Sequence, residues 1–226
     1  MAAALTLNQS TIGKKAIMAV TGIVLYGFVI VHMIGNLKIF EGPTGFNEYS
    51  HFLRVVGEPA LPAGTILWVI RIVLVAALFL HVRAAIQLTR IDGAGRPVGY
   101  KKVKRKQASF ASLTLRWGGA AIFFFVIYHI LHFTIGVALP GYIEGEPYHN
   151  VVTGFSTQIW AAPVYLVAVA ALGTHLYHGV WSAMQTLGLN TRRTEKLFRA
   201  LAVASGVGLF AGFATVPVVV LLGILK

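Results

Sequence analysis

The chain contains no cysteine. It therefore cannot form disulfides, bind an iron–sulfur cluster or a zinc ion through thiolates, or attach a c-type haem covalently. Any redox centre that it holds must take its protein ligands from histidine, methionine or tyrosine.

Acidic residues are also scarce, since seven Asp and Glu stand against 19 Lys and Arg, for a formal net charge of +12. In a soluble protein such an excess would indicate nucleic-acid binding. Here 57% of the residues are hydrophobic, and the basic residues cluster in short segments between long apolar runs. This pattern is typical of a helical membrane protein, for which we expect no nucleic-acid partner.

Five apolar runs reach the length of about 20 residues that a helix needs to cross a bilayer. None has the alternating pattern of a barrel strand. The residues before the first run lack the positive charge that opens a secretory signal, so we expect this run to remain as a span. We predict an all-α membrane protein of one domain, with a bundle of five transmembrane helices over residues 16–37, 66–88, 115–139, 160–187 and 200–225.

Basic residues concentrate on one side of the predicted bundle. By contrast, the connection between spans three and four holds Glu144 and Glu146 and no basic residue. The positive-inside rule then places the N-terminus in the cytoplasm and the C-terminus outside, as in a multi-pass protein of the cytoplasmic (inner) membrane. The residues that set this orientation are Lys14, Lys15, Arg90, Arg96, Lys101, Lys102, Lys104, Arg105, Lys106, Arg116, Arg192, Arg193, Lys196 and Arg199.

The outer connections carry two further features. Residues 46–57 place apolar side chains on one helical face, which predicts a short amphipathic helix at the membrane surface. His51 and His149 fall in these connections, and we expect them to face solvent.

Four histidines lie deep inside four different predicted spans. An imidazole in hydrocarbon is costly unless it is bound to something. At a rise of about 1.5 Å per residue, the outward-running spans reach His32 and His129 in the outer half of the membrane. The inward-running spans reach His81 and His175 in the inner half, which gives two pairs at levels on the order of 12 Å apart.

Two pairs at two levels favour two flat macrocycles, each held between two axial imidazoles, as in bis-histidine haems. Such ligation leaves iron no open position, which favours electron transfer over oxygen chemistry. Zinc binding is one alternative for the same residue type, and histidines hydrogen-bonded between helices are another. Depth alone does not choose between 129 and 132 or between 175 and 178, because His132 and His178 each lie three residues beyond a proposed ligand.

The order and spacing of several motifs resemble a known family. They are IVHMIGNL at the end of span one, FNEYSHF in the outer connection, R-x12-H ending at His129, and H-x5-W-S starting at His175. Together, over nearly the whole chain, they resemble the cytochrome b membrane-anchor subunit of succinate:quinone oxidoreductase (succinate dehydrogenase or fumarate reductase). The resemblance is to the form with one five-helix polypeptide and two haems.

The resemblance implies ligands and cofactors. The haem iron ligands would be His32 with His129 for an outer haem b, and His81 with His175 for an inner haem b. This spacing selects His129 and His175 over their neighbours three residues on. The second cofactor would be a membrane quinone, which for dihaem anchors is often menaquinone.

The same resemblance implies partners, namely a flavoprotein subunit and an iron–sulfur subunit on the cytoplasmic side. The chain has neither cysteine nor a dinucleotide-binding fingerprint, so it would not oxidise succinate alone. It would instead carry electrons within a respiratory chain linked to the tricarboxylic acid cycle. The basic segment GYKKVKRKQ (99–107) is a candidate docking surface for the partners, and contact with anionic lipid is the alternative.

Arginines near the predicted membrane levels are candidates for binding the cofactor. Arg83 lies two residues after His81 and Arg116 opens span three, and an arginine at such depth favours an anion such as a haem propionate. Arg71 is the corresponding candidate for the outer level, and snorkelling to lipid phosphate is the alternative. Candidate quinone-site groups are Glu58, Tyr49 and His51 on the outer side, and Ser10, Lys14 and Arg116 on the inner side.

Two other functions fit parts of the pattern. A dihaem cytochrome b anchor of another quinone-linked dehydrogenase would have the same histidines and differ in its partner subunits. A non-redox transporter or proton channel would use the histidines as a relay, and a haem spectrum distinguishes it from both cytochromes. Against the relay, no Asp or Glu lies at mid-membrane, and the only interior proline, Pro217, is in the span without histidine.

Overall fold

The computed structural model describes residues 10–94 and 110–226, and the side chains from residue 115 onward in the second range. Within these residues the chain is helical and has no strand. Five helical stretches are long and apolar enough to cross a membrane, which confirms the predicted all-α bundle of five spans. The helices are α1 (Thr11–Leu37), α2 (Gly42–Val55), α3 (Thr65–Ala94), α4 (Phe110–His129), α5 (Pro147–Thr157), α6 (Ala161–Thr186) and α7 (Glu195–Leu221).

The ends of α1 and α4 follow from local chemistry. Ser10 caps α1, because its hydroxyl accepts a hydrogen bond of 2.9 Å from the amide of Gly13. Helix α4 continues as one wide π-helical turn over Ile130–Thr134 and then stops. The third span was predicted to reach residue 139. It ends five residues earlier because Gly136 turns the chain into the left-handed region, with φ of 84°.

Four of the long helices form the centre of the bundle. Helix α1 packs against α3 and α6, and α4 packs against α6. Helices α1 and α4 therefore stand diagonally opposite each other, as do α3 and α6, and neither diagonal pair has more than slight backbone contact within the described residues. The fourth side, between α3 and α4, is a groove with a volume of about 530 Å³.

Helix α7 packs on the outside of this unit, chiefly against α6 and also against α1. Two glycines lie at the contact between α6 and α7, since a Cβ added to Gly173 would lie 2.8 Å from the carbonyl oxygen of Gly206, and the reverse distance is also 2.8 Å. Small residues permit such close helix approach in membranes. Helix α7 also reaches the interior of the four-helix unit, where the ring centre of Phe213 lies 5.9 Å from that of His32.

The two ends of the bundle differ. At the first, which we call the capped end, α2 and α5 lie over the long helices, and the side chain of Asn47 accepts a 3.1 Å hydrogen bond from the amide of Tyr148. The predicted surface helix is present as α2 with Phe46 buried, but it begins four residues earlier and ends two residues earlier than the predicted 46–57. The second is the basic end, defined by the start of α1, the end of α3, the start of α4 and the end of α6. Helix α5 was not predicted.

Candidate functional site: two histidine pairs across the bundle

The four deep histidines meet in two pairs, each on one diagonal of the four-helix unit. The ring centres of His32 on α1 and His129 on α4 are 5.8 Å apart. Those of His81 on α3 and His175 on α6 are 6.3 Å apart. Each pair therefore joins two helices whose backbones stay apart, and the histidines meet in the centre of the bundle.

The separation of the rings suits a shared metal. Two imidazoles on opposite sides of one metal ion have ring centres about 6 Å apart, because each metal–nitrogen bond is about 2 Å and each ring adds about 1 Å. Both pairs match this spacing. Each level presents two imidazoles, which is the number that an axially ligated haem iron takes, whereas zinc takes three or four protein ligands. Among the residues the structure describes, no group of three or more His, Asp or Glu could hold a metal ion.

The two pairs lie at different heights along the bundle. Gly22 on α1 lies beside His81, since a Cβ added there would be 3.2 Å from the ring carbon Cε1. His32 follows ten residues later on the same helix, about 15 Å further toward the capped end at the usual helical rise. We therefore call His32 and His129 the capped level, and His81 and His175 the basic level.

At the basic level, one ring is oriented by the backbone. Nδ1 of His81 lies 3.1 Å from the carbonyl oxygen of Met18. A carbonyl can only accept, so Nδ1 carries the proton and Nε2 keeps the lone pair that a metal requires. The hydroxyl of Thr21 lies 3.3 Å from the same Nδ1 and also bonds the carbonyl of Ile17 at 2.7 Å. Such outer hydrogen bonds are the usual support of a metal-binding histidine.

At the capped level, the corresponding contact comes from a side chain. The hydroxyl of Tyr165 on α6 lies 3.2 Å from Nδ1 of His129 and 3.1 Å from Nδ1 of His132. Tyr165 is buried, and its ring packs edge-on against Phe125 and Phe155. The aromatic surroundings therefore fix the hydroxyl between the two imidazoles.

The structure distinguishes each deep histidine from its neighbour three residues on. His132 lies in the π-helical turn, is fully buried at 0% exposure, and stacks on Phe133 at a ring distance of 4.1 Å. The ring across the bundle from His32 is that of His129, and the ring across from His81 is that of His175. His178 makes no ring contact within the described residues. The geometry therefore pairs His129 with His32 and His175 with His81, and the binding of a metal by these histidines stays a prediction.

The outer histidines are where the sequence predicted them. His51 on α2 and His149 on α5 are both exposed. His149 bonds the carbonyl of Gly141 through Nε2 at 3.2 Å. Neither ring lies near the two levels.

Glycines make room for the rings of the basic level. A Cβ on Gly119 of α4 would lie 3.6 Å from Cε1 of His175, and Gly22 occupies the matching position beside His81. By contrast, a Cβ on Gly27 would meet nothing within 4 Å. A larger residue at Gly22 would therefore press on the imidazole, and one at Gly27 would not.

The three candidate arginines have different surroundings. Arg83 is exposed and lines the groove between α3 and α4 together with Phe123. Arg116 contacts a carboxylate, that of Asp92, at 3.2 Å, and both side chains are more than half exposed. Arg71 lies 4.9 Å over the ring of Trp68, about 15 Å from His81 along α3 and so near the height of His32. Binding of propionates by these arginines stays a prediction.

The candidate quinone groups are dispersed. Tyr49 lies against Gly35 of α1, and its ring is 5.4 Å from the ammonium of Lys38. Glu58 is exposed beyond α2, Ser10 caps α1, and Lys14 is buried in the first turn of α1. The candidate docking segment 99–107 lies outside the described residues. No single quinone position is therefore distinguished by the geometry.

Tyr165, Gly22 and the Met18 carbonyl were not singled out from the sequence. Each contacts a histidine of another helix, and the pattern within one helix does not reveal which faces meet. The one available signal was a tyrosine within predicted span four, which needs a partner when buried.

The chain was also compared with known proteins. No protein family, no curated protein and no solved structure matches it.

Proposed function

We propose that this chain is the membrane-anchor cytochrome b subunit of a succinate:quinone oxidoreductase, binding two haems b. The observation that carries the proposal is the geometry of the two histidine pairs, one on each diagonal of the bundle, at metal-bridging distance. The motif resemblance described above supplies the class of enzyme. When bound, the haems would supply one-electron transfer between a partner's iron–sulfur centre and membrane quinone.

The chain's own residues would hold and shield these centres. His32 and His129 would ligate one iron and His81 and His175 the other. Met18 and Tyr165 orient one imidazole of each pair. The apolar helices would exclude water from both levels, which would lower the local dielectric around a bound haem.

Orientation and partners belong to the same proposal. The basic end carries Lys15, Arg90, Arg116, Arg193 and Arg199, and so would face the cytoplasm under the positive-inside rule. A flavoprotein subunit and an iron–sulfur subunit would dock there, and the capped end would face outward. The membrane would then be the cytoplasmic membrane.

The decisive experiment is a reduced-minus-oxidised absorption spectrum with a pyridine-haem assay on the purified chain, followed by identification of co-purifying subunits. We expect two b-type haems per chain, and a flavoprotein with succinate dehydrogenase activity in the complex. Absence of haem would overturn the proposal and leave a histidine relay as the explanation. Two haems with a different dehydrogenase would keep the cytochrome and replace its partner.

A further inference from the structure

His132 is the most deeply buried histidine of the chain, and the ligand pairs do not use it. Its Nδ1 lies 3.1 Å from the Tyr165 hydroxyl, which in turn lies 3.2 Å from Nδ1 of His129. A single hydroxyl thus connects two imidazoles. It has one proton to donate, so it donates to one ring nitrogen and accepts from the other.

His132 lies beside the C-terminal part of α5, since a Cβ added to Gly154 would be 3.4 Å from its ring carbon Cε1, and Gln158 follows the end of that helix. The amide nitrogen of Gln158 donates to the carbonyl of Ala138 at 3.0 Å. Oε1 of Gln158 and Nε2 of His132 are both buried, and neither has a hydrogen-bond partner among the described residues. One atom is an acceptor and the other a possible donor, so a hydrogen bond between them would satisfy both.

We infer that Gln158 and His132 bond to each other through these two atoms, and that with Tyr165 they form a hydrogen-bond series of one fixed direction, which sets the tautomer of His129. The Gln158 oxygen can only accept, so Nε2 of His132 carries the proton and its Nδ1 keeps a lone pair. The Tyr165 hydroxyl donates to that lone pair and accepts from Nδ1 of His129. Nε2 of His129 is then left with its lone pair, as a metal ligand requires.

Tyr165, His132 and Gln158 are therefore positioning residues for His129, and their effect on a haem rests on the proposed function. An acceptor on Nδ1–H makes an imidazole a more basic ligand, which stabilises the oxidised form of the metal centre. Successive hydrogen bonds in one direction polarise each other, so the series strengthens this effect. The basic level has no such series, because the Met18 carbonyl is itself the acceptor.

The test is a potentiometric titration of the purified complex, followed in the visible haem bands. Tyr165→Phe removes the acceptor and keeps the ring, so we expect the midpoint potential of one haem to rise. A tenfold change in the ferrous-to-ferric ratio corresponds to about 59 mV for one electron. The affected haem should be the one that remains in a His175→Ala variant, because that variant is expected to lose the haem of the basic level. Gln158→Met should shift the same component in the same direction and by less.

Tyr26→Phe is the matched control. Tyr26 is also a tyrosine of a membrane helix bonded to a hydroxyl, that of Ser205 at 2.5 Å, but the structure gives it no contact with a histidine. Its removal should leave both midpoints unchanged. The inferred hydrogen-bond series is supported if the midpoint potential of one haem shifts in Tyr165→Phe and Gln158→Met and neither midpoint shifts in Tyr26→Phe.

Histidine-selective ¹⁵N chemical shifts measure which ring nitrogen of His132 is protonated, and this measurement does not depend on haem. We expect His132 to be protonated at Nε2 and unprotonated at Nδ1. A proton on Nδ1 of His132, equal shifts of both haems, or unchanged midpoints in both variants would overturn the inference and leave the proposed function standing. If the purified protein binds no haem but His132 has the expected tautomer, the proposed function is overturned and the hydrogen-bond inference stands.

Discussion

At both histidine levels one ring of the pair is fixed by a hydrogen bond, but the group that makes this bond differs between the levels. In each pair one ring has its Nδ1 fixed by a hydrogen bond, His81 by the Met18 carbonyl and His129 by the Tyr165 hydroxyl. The opposite rings have no such anchor among the described residues, and Nδ1 of His175 is buried without a partner. Each level thus combines one imidazole fixed by a hydrogen bond with one that is held by packing alone.

The difference lies in what supplies the anchor. At the basic level it is backbone, which substitution cannot remove, and the rings lie against glycines. At the capped level it is a side chain inside an aromatic cluster that includes Phe155 and Phe125. We therefore expect the basic level to be sensitive to added volume and the capped level to be sensitive to lost hydrogen bonds.

The largest effect is expected from removing a ligand. His32→Ala and His129→Ala should each lower the haem content from two to one per chain and lose the same spectral component. His81→Ala and His175→Ala should lose the other component, because each level needs both imidazoles. Pyridine-haem assay and low-temperature spectra measure both quantities.

His178→Ala is the control for this series, since it removes an imidazole one turn from His175. It should retain two haems. Should it lose one while His175→Ala keeps both, the ligand at the basic level is His178, and the pairing of His81 with His175 is wrong.

A smaller and level-specific effect is expected from added volume. A Cβ at Gly22 already lies 3.2 Å from Cε1 of His81, so Gly22→Val should displace that ring and lower occupancy of the basic-level haem. Gly27→Val adds the same side chain to the same helix, where nothing lies within 4 Å, and should keep both haems. Equal haem loss in the two variants would contradict a level-specific effect.

The smallest effect is expected at Thr21. Its hydroxyl lies 3.3 Å from Nδ1 of His81, but the Met18 carbonyl at 3.1 Å remains the acceptor after Thr21→Val. We expect the basic-level midpoint to shift less than the capped-level midpoint shifts in Tyr165→Phe. Redox titration of both variants makes the comparison. A larger shift in Thr21→Val would show that the Thr21 hydroxyl, and not the Met18 carbonyl, fixes Nδ1 of His81.

The sequence predicted what depends on composition and on distance along one helix. Apolar runs predicted the five spans, and counting from each helix end placed the deep histidines of spans one and three at one level and those of spans two and four at another. The family resemblance then selected His129 and His175 over His132 and His178. The end of α4 was missed because neither the π-helical turn nor the left-handed Gly136 disturbs an apolar run. Helix α5 was missed because residues 147–157 are short and mixed in polarity.

The contacts between helices were beyond the sequence for a different reason. Gly22 and Tyr165 matter because of the ring each faces, which depends on the rotation of one helix against another. From the sequence alone, His132 is an alternative to His129 as the ligand, since residues three positions apart in a regular helix lie nearly on one face. The structure instead joins the two through Tyr165.

The diagonal arrangement has a consequence for synthesis of the chain. Each level takes one histidine from the first half of the chain and one from the second, so neither half can complete a level alone. A ribosome that has made α1 and α3 has produced two of the four deep histidines and neither pair. The capped level gains its second ring at residue 129, and the basic level only at residue 175, so the two levels are completed in a set order as translation proceeds.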